Sequence, residues 1–165
     1  MQFLTAKSLL YVRVILLLVI SFLLVKDPES LSTYGFILLL GKAMQVKLTI
    51  LDPSNPLIGV LVTIIGTSAI SDLIPLLADN IDYFETVVPT RLTGFFLLAS
   101  FSYLAESQYF STSLVFTYAF FEIWINFLIF NNLRDEKYYR LKKFVEENAE
   151  EIQELESRKV VPIVD

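Results

Sequence analysis

Residues 71–77 read Ser-Asp-Leu-Ile-Pro-Leu-Leu, and residues 87–91 read Val-Val-Pro-Thr-Arg, with a short acidic and aromatic segment between them. One apolar run enters this stretch from Leu57, and a second leaves it at Leu92. The stretch is therefore predicted to be a hairpin between two apolar spans. It places one carboxylate, Asp72, and one guanidinium, Arg91, near the same membrane face.

Composition agrees with a membrane protein. The 165 residues are 55% hydrophobic, and the mean hydropathy is +0.59. The apolar residues fall in long blocks, while charge is sparse up to Leu133 and dense from Arg134 onward. Such blocks are typical of helices surrounded by lipid. The net charge of -5 gives no case for a nucleic-acid partner.

The chain contains no cysteine and no histidine. Thiolate nucleophiles, Ser-His-Asp triads, disulfides and the usual zinc sites are therefore excluded. We expect no enzymatic activity and no cofactor, and we predict no catalytic, cofactor-binding or metal-binding residue. An intramembrane enzyme would have to work with Asp, Glu, Lys, Ser or Tyr alone.

The predicted fold is all-α, a polytopic membrane helix bundle of about four transmembrane helices. The spans are expected at about 8–25, 57–78, 90–103 and 114–130. The segment 31–50 is predicted to form an interfacial or short re-entrant helix, because a full span would hold Lys42 well inside at a cost of roughly 2.5–3.5 kcal/mol. We expect an exposed turn over 80–85, and Pro89 in the first turn of the third span.

Two regions are predicted along the chain. Residues 1–133 form the transmembrane domain, and residues 134–165 form a charged cytosolic tail that is helical at first and then disordered. Five basic residues soon after the last span favour a cytosolic C-terminus. Four spans then place the N-terminus in the cytosol as well. A five-span alternative, with 31–50 as a span, moves Lys26 to the cytosol and sends Lys7 and Arg13 out. The charge count barely separates the two.

Polar residues recur on one face of the last span. Tyr118, Glu122 and Asn126 are spaced i, i+4 and i+8, so they share a helix face. A carboxylate facing lipid is costly, so this face is expected to turn inward or to line a cavity. It is interpreted either as a buried contact that sets helix register, or as a pathway or a contact with a membrane partner.

Opposite charges at similar depth are expected to pair in a medium of low polarity. In the four-span arrangement, Arg13, Asp72, Arg91 and Asn126 lie in the cytosolic half of the bilayer, with Glu122 about one turn deeper. We predict that Arg91 pairs with Asp72, and that Arg13 pairs with Glu122 or Asn126. The five-span alternative forbids the second pair.

A basic run follows the last span. Its candidate contacts to lipid headgroups are Arg134, Lys137, Arg140, Lys142 and Lys143. Retention of the tail in the cytosol is the simpler interpretation. Binding to anionic lipid is the functional one, worth about 1 kcal/mol per basic residue at the surface.

Several segments in order resemble the fungal "increased loss of mitochondrial DNA" family. They are Asp-Leu-Ile-Pro-Leu-Leu at 72–77, Asn80, Tyr-Phe-Glu at 83–85, Val-Val-Pro-Thr-Arg at 87–91, Ser-Tyr-Leu at 102–104, Glu-Ile-Trp-Ile-Asn-Phe at 122–127 and Leu-Arg-Asp-Glu-Lys at 133–137. The resemblance implies a multi-pass protein of the endoplasmic reticulum whose loss compromises mitochondrial DNA maintenance. It carries over no catalytic residue. No mitochondrial presequence is visible, so an indirect role is expected.

The function expected from these observations is that of a non-enzymatic membrane protein, an adaptor or small subunit. Its expected partners are membrane lipids and other integral membrane proteins, and nucleic acid is not among them. The alternative is a small transporter or lipid-handling protein that uses the polar face of the last span.

Overall fold

The computed structural model describes residues 5–105 and 107–149, and the fold in this part of the chain is all-α, as predicted. Its helices are α1 (Ala6–Lys26), α2 (Pro28–Ser32), α3 (Gly35–Ala43), α4 (Leu57–Leu77), α5 (Ile81–Leu104) and α6 (Ser113–Glu147). Four of them, α1, α4, α5 and α6, are long and apolar enough to cross a membrane.

The four long helices alternate in direction. We call the end where α1 begins and α4 gives way to α5 the tail end, and the opposite end the loop end. Helix α4 packs mainly on α1, α5 packs mainly on α6, and α1 joins the two pairs by packing on α6. One buried apolar cluster lies at the tail end and includes Leu10, Phe84 and Ile129. A second, between α1 and α4, includes Leu17 and Ala69.

The prediction for the start of the third span is wrong. Helix α5 begins at Ile81, not near Thr90, so 81–85 are helical and the expected exposed turn is shortened. The Asn80 side chain accepts a hydrogen bond from the Tyr83 backbone N–H at 3.2 Å and caps the helix. Pro89 therefore lies inside the helix, not in its first turn. The Asn80 cap fixes the start of the helix nine residues before Pro89. The single backbone bond that Pro89 removes is tolerated within a membrane helix.

The segment 31–50 does not form one helix. Helix α2 ends at Ser32, α3 covers nine residues, and an extended segment follows. Nine residues reach only about 14 Å, too short to cross a bilayer. Helix α3 lies along the first turns of α6, where the Phe36 and Phe121 rings are 5.4 Å apart.

The extended segment after α3 is anchored to the start of α6. The Lys47 N–H donates to the Ser111 carbonyl at 3.2 Å, and the Ser113 N–H donates to the Lys47 carbonyl at 2.9 Å. Gly41 makes this approach possible, because a Cβ at that position would lie 2.8 Å from the Ser113 Cβ. Residues 28–51 thus turn back into the bundle at its loop end.

Helix α6 runs unbroken for 35 residues, so no break separates the last span from the charged tail within the described residues. At 1.5 Å per residue it is about 52 Å long, well beyond the roughly 30 Å of a hydrocarbon core. Its final turns therefore project past the tail end. The disordered end predicted for the tail lies outside the described residues.

Candidate functional site

The candidate site is a buried ionic network inside the bundle, with Arg13 of α1 at its centre. Only 3% of Arg13 is exposed. Its Nε–H donates to Glu122 Oε2 at 3.0 Å and its Nη2–H donates to Glu122 Oε1 at 2.9 Å, a two-pronged contact across α1 and α6. Its Nη1–H donates to Asp72 Oδ2 of α4.

Asp72 is shared between two arginines. Besides the bond from Arg13, it accepts from Arg91 of α5: Nη1–H donates to Oδ2 at 2.6 Å and Nη2–H donates to Oδ1 at 2.5 Å. The network therefore links all four long helices through one chain of alternating charge, Arg91–Asp72–Arg13–Glu122. Two positive and two negative groups balance one another within it.

The polar face of α6 completes the network around Glu122. The Tyr118 hydroxyl donates to Glu122 Oε1 at 3.2 Å, and Asn126 Nδ2–H donates to Glu122 Oε2 at 2.8 Å. The spacing of four residues places both side chains one helical turn from the carboxylate. Each Glu122 oxygen thus accepts two hydrogen bonds, which fills the roughly four acceptor positions of a carboxylate.

The structure brings together all six residues of the predicted intramembrane cluster: Arg13, Asp72, Arg91, Tyr118, Glu122 and Asn126. Arg91 pairs with Asp72, and of the two partners proposed for Arg13 it is Glu122 that Arg13 contacts. Asn126 bonds to Glu122 instead. The Arg13–Asp72 contact was not foreseen from the sequence. The Arg13–Glu122 pair is the one that the five-span alternative forbids.

The arrangement is suited to holding helices together. Removing one member of a buried ion pair leaves its partner uncompensated, at a cost of about 3–5 kcal/mol in soluble proteins. Glu122, with its acceptor positions filled and 3% exposed, is poorly placed to take a proton from a substrate. Among residues 5–105 and 107–149, no group of three or more Asp and Glu residues is placed to hold a metal ion.

The candidate lipid contacts on α6 each lie near a carboxylate. Glu85 of α5 accepts from Lys137 Nζ–H and from Arg140 Nη2–H, both at 2.6 Å. The remaining three pair with neighbours on α6: Arg134 with Asp135 at 3.5 Å, Lys142 with Glu146 at 3.8 Å and Lys143 with Glu147 at 3.6 Å. The basic charge of this segment is thus largely offset within the chain.

Glu85 is a contact residue that sequence reasoning missed. It was expected in an exposed turn, but only 16% of its side chain is exposed, between two basic residues of α6. The available signal was its position at the tail end, where the basic run also begins.

Comparison with known proteins shows which family the chain resembles. Residues 4–111 match the model of the family described as increased loss of mitochondrial DNA protein 1. The chain is 37% identical over 157 residues to Protein ILM1 of Saccharomyces cerevisiae (strain ATCC 204508 / S288c), an alignment covering 93% of this chain and 77% of that protein. It is 30% identical over 138 residues to Protein ilm1 of Schizosaccharomyces pombe (strain 972 / ATCC 24843), covering 81% and 83% of the two chains. No solved structure matches the chain significantly. The chain therefore belongs to the increased loss of mitochondrial DNA protein 1 family.

Proposed function

We propose that the protein is a non-enzymatic, multi-pass protein of the endoplasmic reticulum membrane with a cytosolic C-terminus. It acts as an adaptor or small subunit with other membrane proteins or lipids, and it supports mitochondrial DNA maintenance indirectly. The family name supports the link to mitochondrial DNA. The observation that carries the proposal is the ionic network, which uses the buried charges of four helices to bind those helices to one another.

The outward side of α5 is the surface on which we place a partner helix. Helix α5 packs mainly on α6, and its exposed positions include Gly94, Leu97, Phe101 and Leu104, spaced three or four residues apart. We call these four residues the α5 outer face. Nothing within 4 Å would meet a Cβ at Gly94. A glycine on such a face lets a second transmembrane helix approach closely.

Site-specific photocrosslinking in cells tests this proposal. A photoreactive residue at Leu97 is expected to give one discrete protein adduct that survives purification. The matched control is the same residue at Leu18, an exposed leucine on α1. The adaptor role would be contradicted by two results together. No adduct would form at Leu97 or at the other α5 outer-face positions, and the chain would purify from mild detergent without a partner.

The alternative, a transporter working through the polar face of α6, gains less support. It needs Glu122 to line a cavity open to water or lipid. Glu122 is instead packed against Arg13, with its oxygens already accepting hydrogen bonds from three side chains. We therefore favour the structural interpretation of the Tyr118, Glu122 and Asn126 face.

A further inference from the structure

A groove separates α4 from α5 on the outside of the bundle. The two helices meet at their connecting turn, but one packs on α1 and the other on α6, so they diverge from that turn. The groove encloses about 530 Å³. It is lined by Thr63, Ile64, Thr67, Ser68 and Ser71 of α4 and by Tyr83 and Arg91 of α5. Six of these seven side chains carry polar atoms, although the helices around them are apolar.

Arg91 brings unused hydrogen-bond donors to this groove. Two of its five N–H groups donate to Asp72. Its side chain remains 22% exposed, while that of Asp72 is 1% exposed. Within the described residues the other three N–H groups have no acceptor. A donor without an acceptor is costly in a membrane, so the groove favours an occupant rich in acceptor oxygens.

The hydroxyl groups of the groove divide into two sets. Those of Thr63 and Ser68 donate to carbonyls of their own helix, Gly59 and Ile64. Those of Thr67, Ser71 and Tyr83 form no hydrogen bond in the part of the chain that the structure describes. Ser71 and Arg91 line the same groove. Hydroxyl donors beside an arginine are the groups that bind phosphate oxygens.

The depth of the groove points to a lipid phosphate. Asp72 lies five residues before the last residue of α4, about 7.5 Å along the axis. Arg91 lies ten residues after the first residue of α5, about 15 Å along the axis, and its Cβ tilts back toward that end. The polar layer of a bilayer is about 5–7 Å thick on each side. Tyr83, three residues into α5, is at the level where tyrosines anchor helices to the interface. A headgroup held at Arg91 would leave its acyl chain to run past Ile64 and Thr63.

We infer that this groove binds a glycerophospholipid of the cytosolic leaflet, with the phosphate on Arg91 and Ser71. The inference rests on the membrane insertion proposed above. A phosphate bound at Arg91 would add a fifth charged group to the network. Arg91 would then contact two anions, just as Asp72 contacts two cations.

Lipid retention by the purified full chain tests the inference. The protein in mild detergent is mixed with phosphatidylcholine and passed through gel filtration, and bound lipid phosphate is measured per chain. We expect about one retained lipid. Ser71→Leu, which fills the groove beside the network, and Arg91→Met are expected to weaken retention at least about tenfold, the effect of losing one hydrogen bond to a charged group.

The matched control is Thr93→Leu, the same kind of change at an exposed position of α5 that does not line the groove. It is expected to retain lipid like the parent. Normal retention by a folded Ser71→Leu protein would overturn the inference. So would equal retention of diacylglycerol, which lacks the phosphate, or displacement of the lipid by millimolar inorganic phosphate. Crosslinking at Leu97 should survive Ser71→Leu, so failure of the lipid site and failure of the adaptor role remain distinguishable.

Discussion

At the scale of single residues, Arg13 is the side chain on which most others depend. It alone contacts both carboxylates of the network, and it does so from a helix in which residues 14–20 are all apolar. An isolated arginine within a span would be costly, and here three of its N–H groups have carboxylate acceptors. Arg13, Asp72 and Glu122 therefore form one structural unit, in which each charge depends on the others.

Replacing Arg13 tests whether that unit is structural. Arg13→Met should destabilise the protein by about 3–5 kcal/mol, because Glu122 is left buried and uncompensated. The double variant Arg13→Met with Glu122→Met should recover most of that loss, since it removes both charges, while Asp72 keeps Arg91. Thermal stability in detergent, read by gel filtration after heating, measures both.

Ile15→Met, at an exposed position of α1, is the control and should leave stability unchanged. If the double variant is as unstable as the single one, the network does more than compensate charge. If it is stable but fails to support mitochondrial DNA in cells, the charges themselves have a role beyond folding.

At the scale of elements, α3 depends on a single small residue. Gly41 allows the segment 44–49 and the start of α6 to lie against α3, with Ser113 Cβ at 2.8 Å and Leu48 Cδ2 at 2.9 Å from where a Cβ would stand. The Ser113 N–H donates to the Lys47 carbonyl, and the Thr49 N–H donates to Ser113 Oγ, so hydrogen bonds fix the same contact. The loop end is therefore closely packed even though its helices are short.

A pair of glycine substitutions tests this contact. Gly41→Ala should destabilise by about 1–3 kcal/mol, because the added methyl forces Ser113 and Leu48 apart. Gly59→Ala in α4 should be neutral or stabilising by up to about 1 kcal/mol, since nothing lies within 4 Å of its Cβ position and alanine is the better helix former. The melting temperature of Gly41→Ala should fall, while that of Gly59→Ala should rise or stay the same. Equal melting temperatures for the two variants would refute the proposed contact.

At the scale of the whole molecule, four long helices of alternating direction bring the start of α1 and the end of α6 to the tail end. Ion pairs between Lys7 and Asp79 and between Glu85 and Lys137 lie at that end, each with a distance of 2.6 Å. If α1, α4, α5 and α6 all cross the membrane, these pairs lie on one face. The connections at residues 27–56 and 107–112 lie on the other face.

Glycosylation mapping tests this topology. The natural sequence has no acceptor sequon, so an inserted sequon in a flexible spacer reports its own side. Insertion after Asp27 or at Ser107 should give a glycosylated protein, detected by a shift on gels that endoglycosidase removes. The same insertion between Asp79 and Asn80 should stay unmodified. Glycosylation between Asp79 and Asn80, but not after Asp27 or at Ser107, would show that the protein has the opposite orientation.

Much of the site was predictable because a charged side chain in an apolar span needs a partner of opposite charge, and few such partners exist in this chain. Once Arg13, Asp72, Arg91 and Glu122 are assigned to spans, low polarity requires them to meet, and the i, i+4 spacing adds Tyr118 and Asn126. What could not be predicted was the sharing of Asp72, because depth along a helix does not say which way each helix is rotated.

The class of the protein follows from its amino-acid order, because apolar blocks of span length must form helices and the few ionisable groups within them must pair. Three features became visible only in the folded chain: where α5 begins, how residues 28–51 turn back against α6, and that Glu85 reaches the basic run. Those features depend on contacts between segments far apart in the chain. Local propensity at Pro89 or Gly41 cannot report such contacts, because it concerns only the residues beside it.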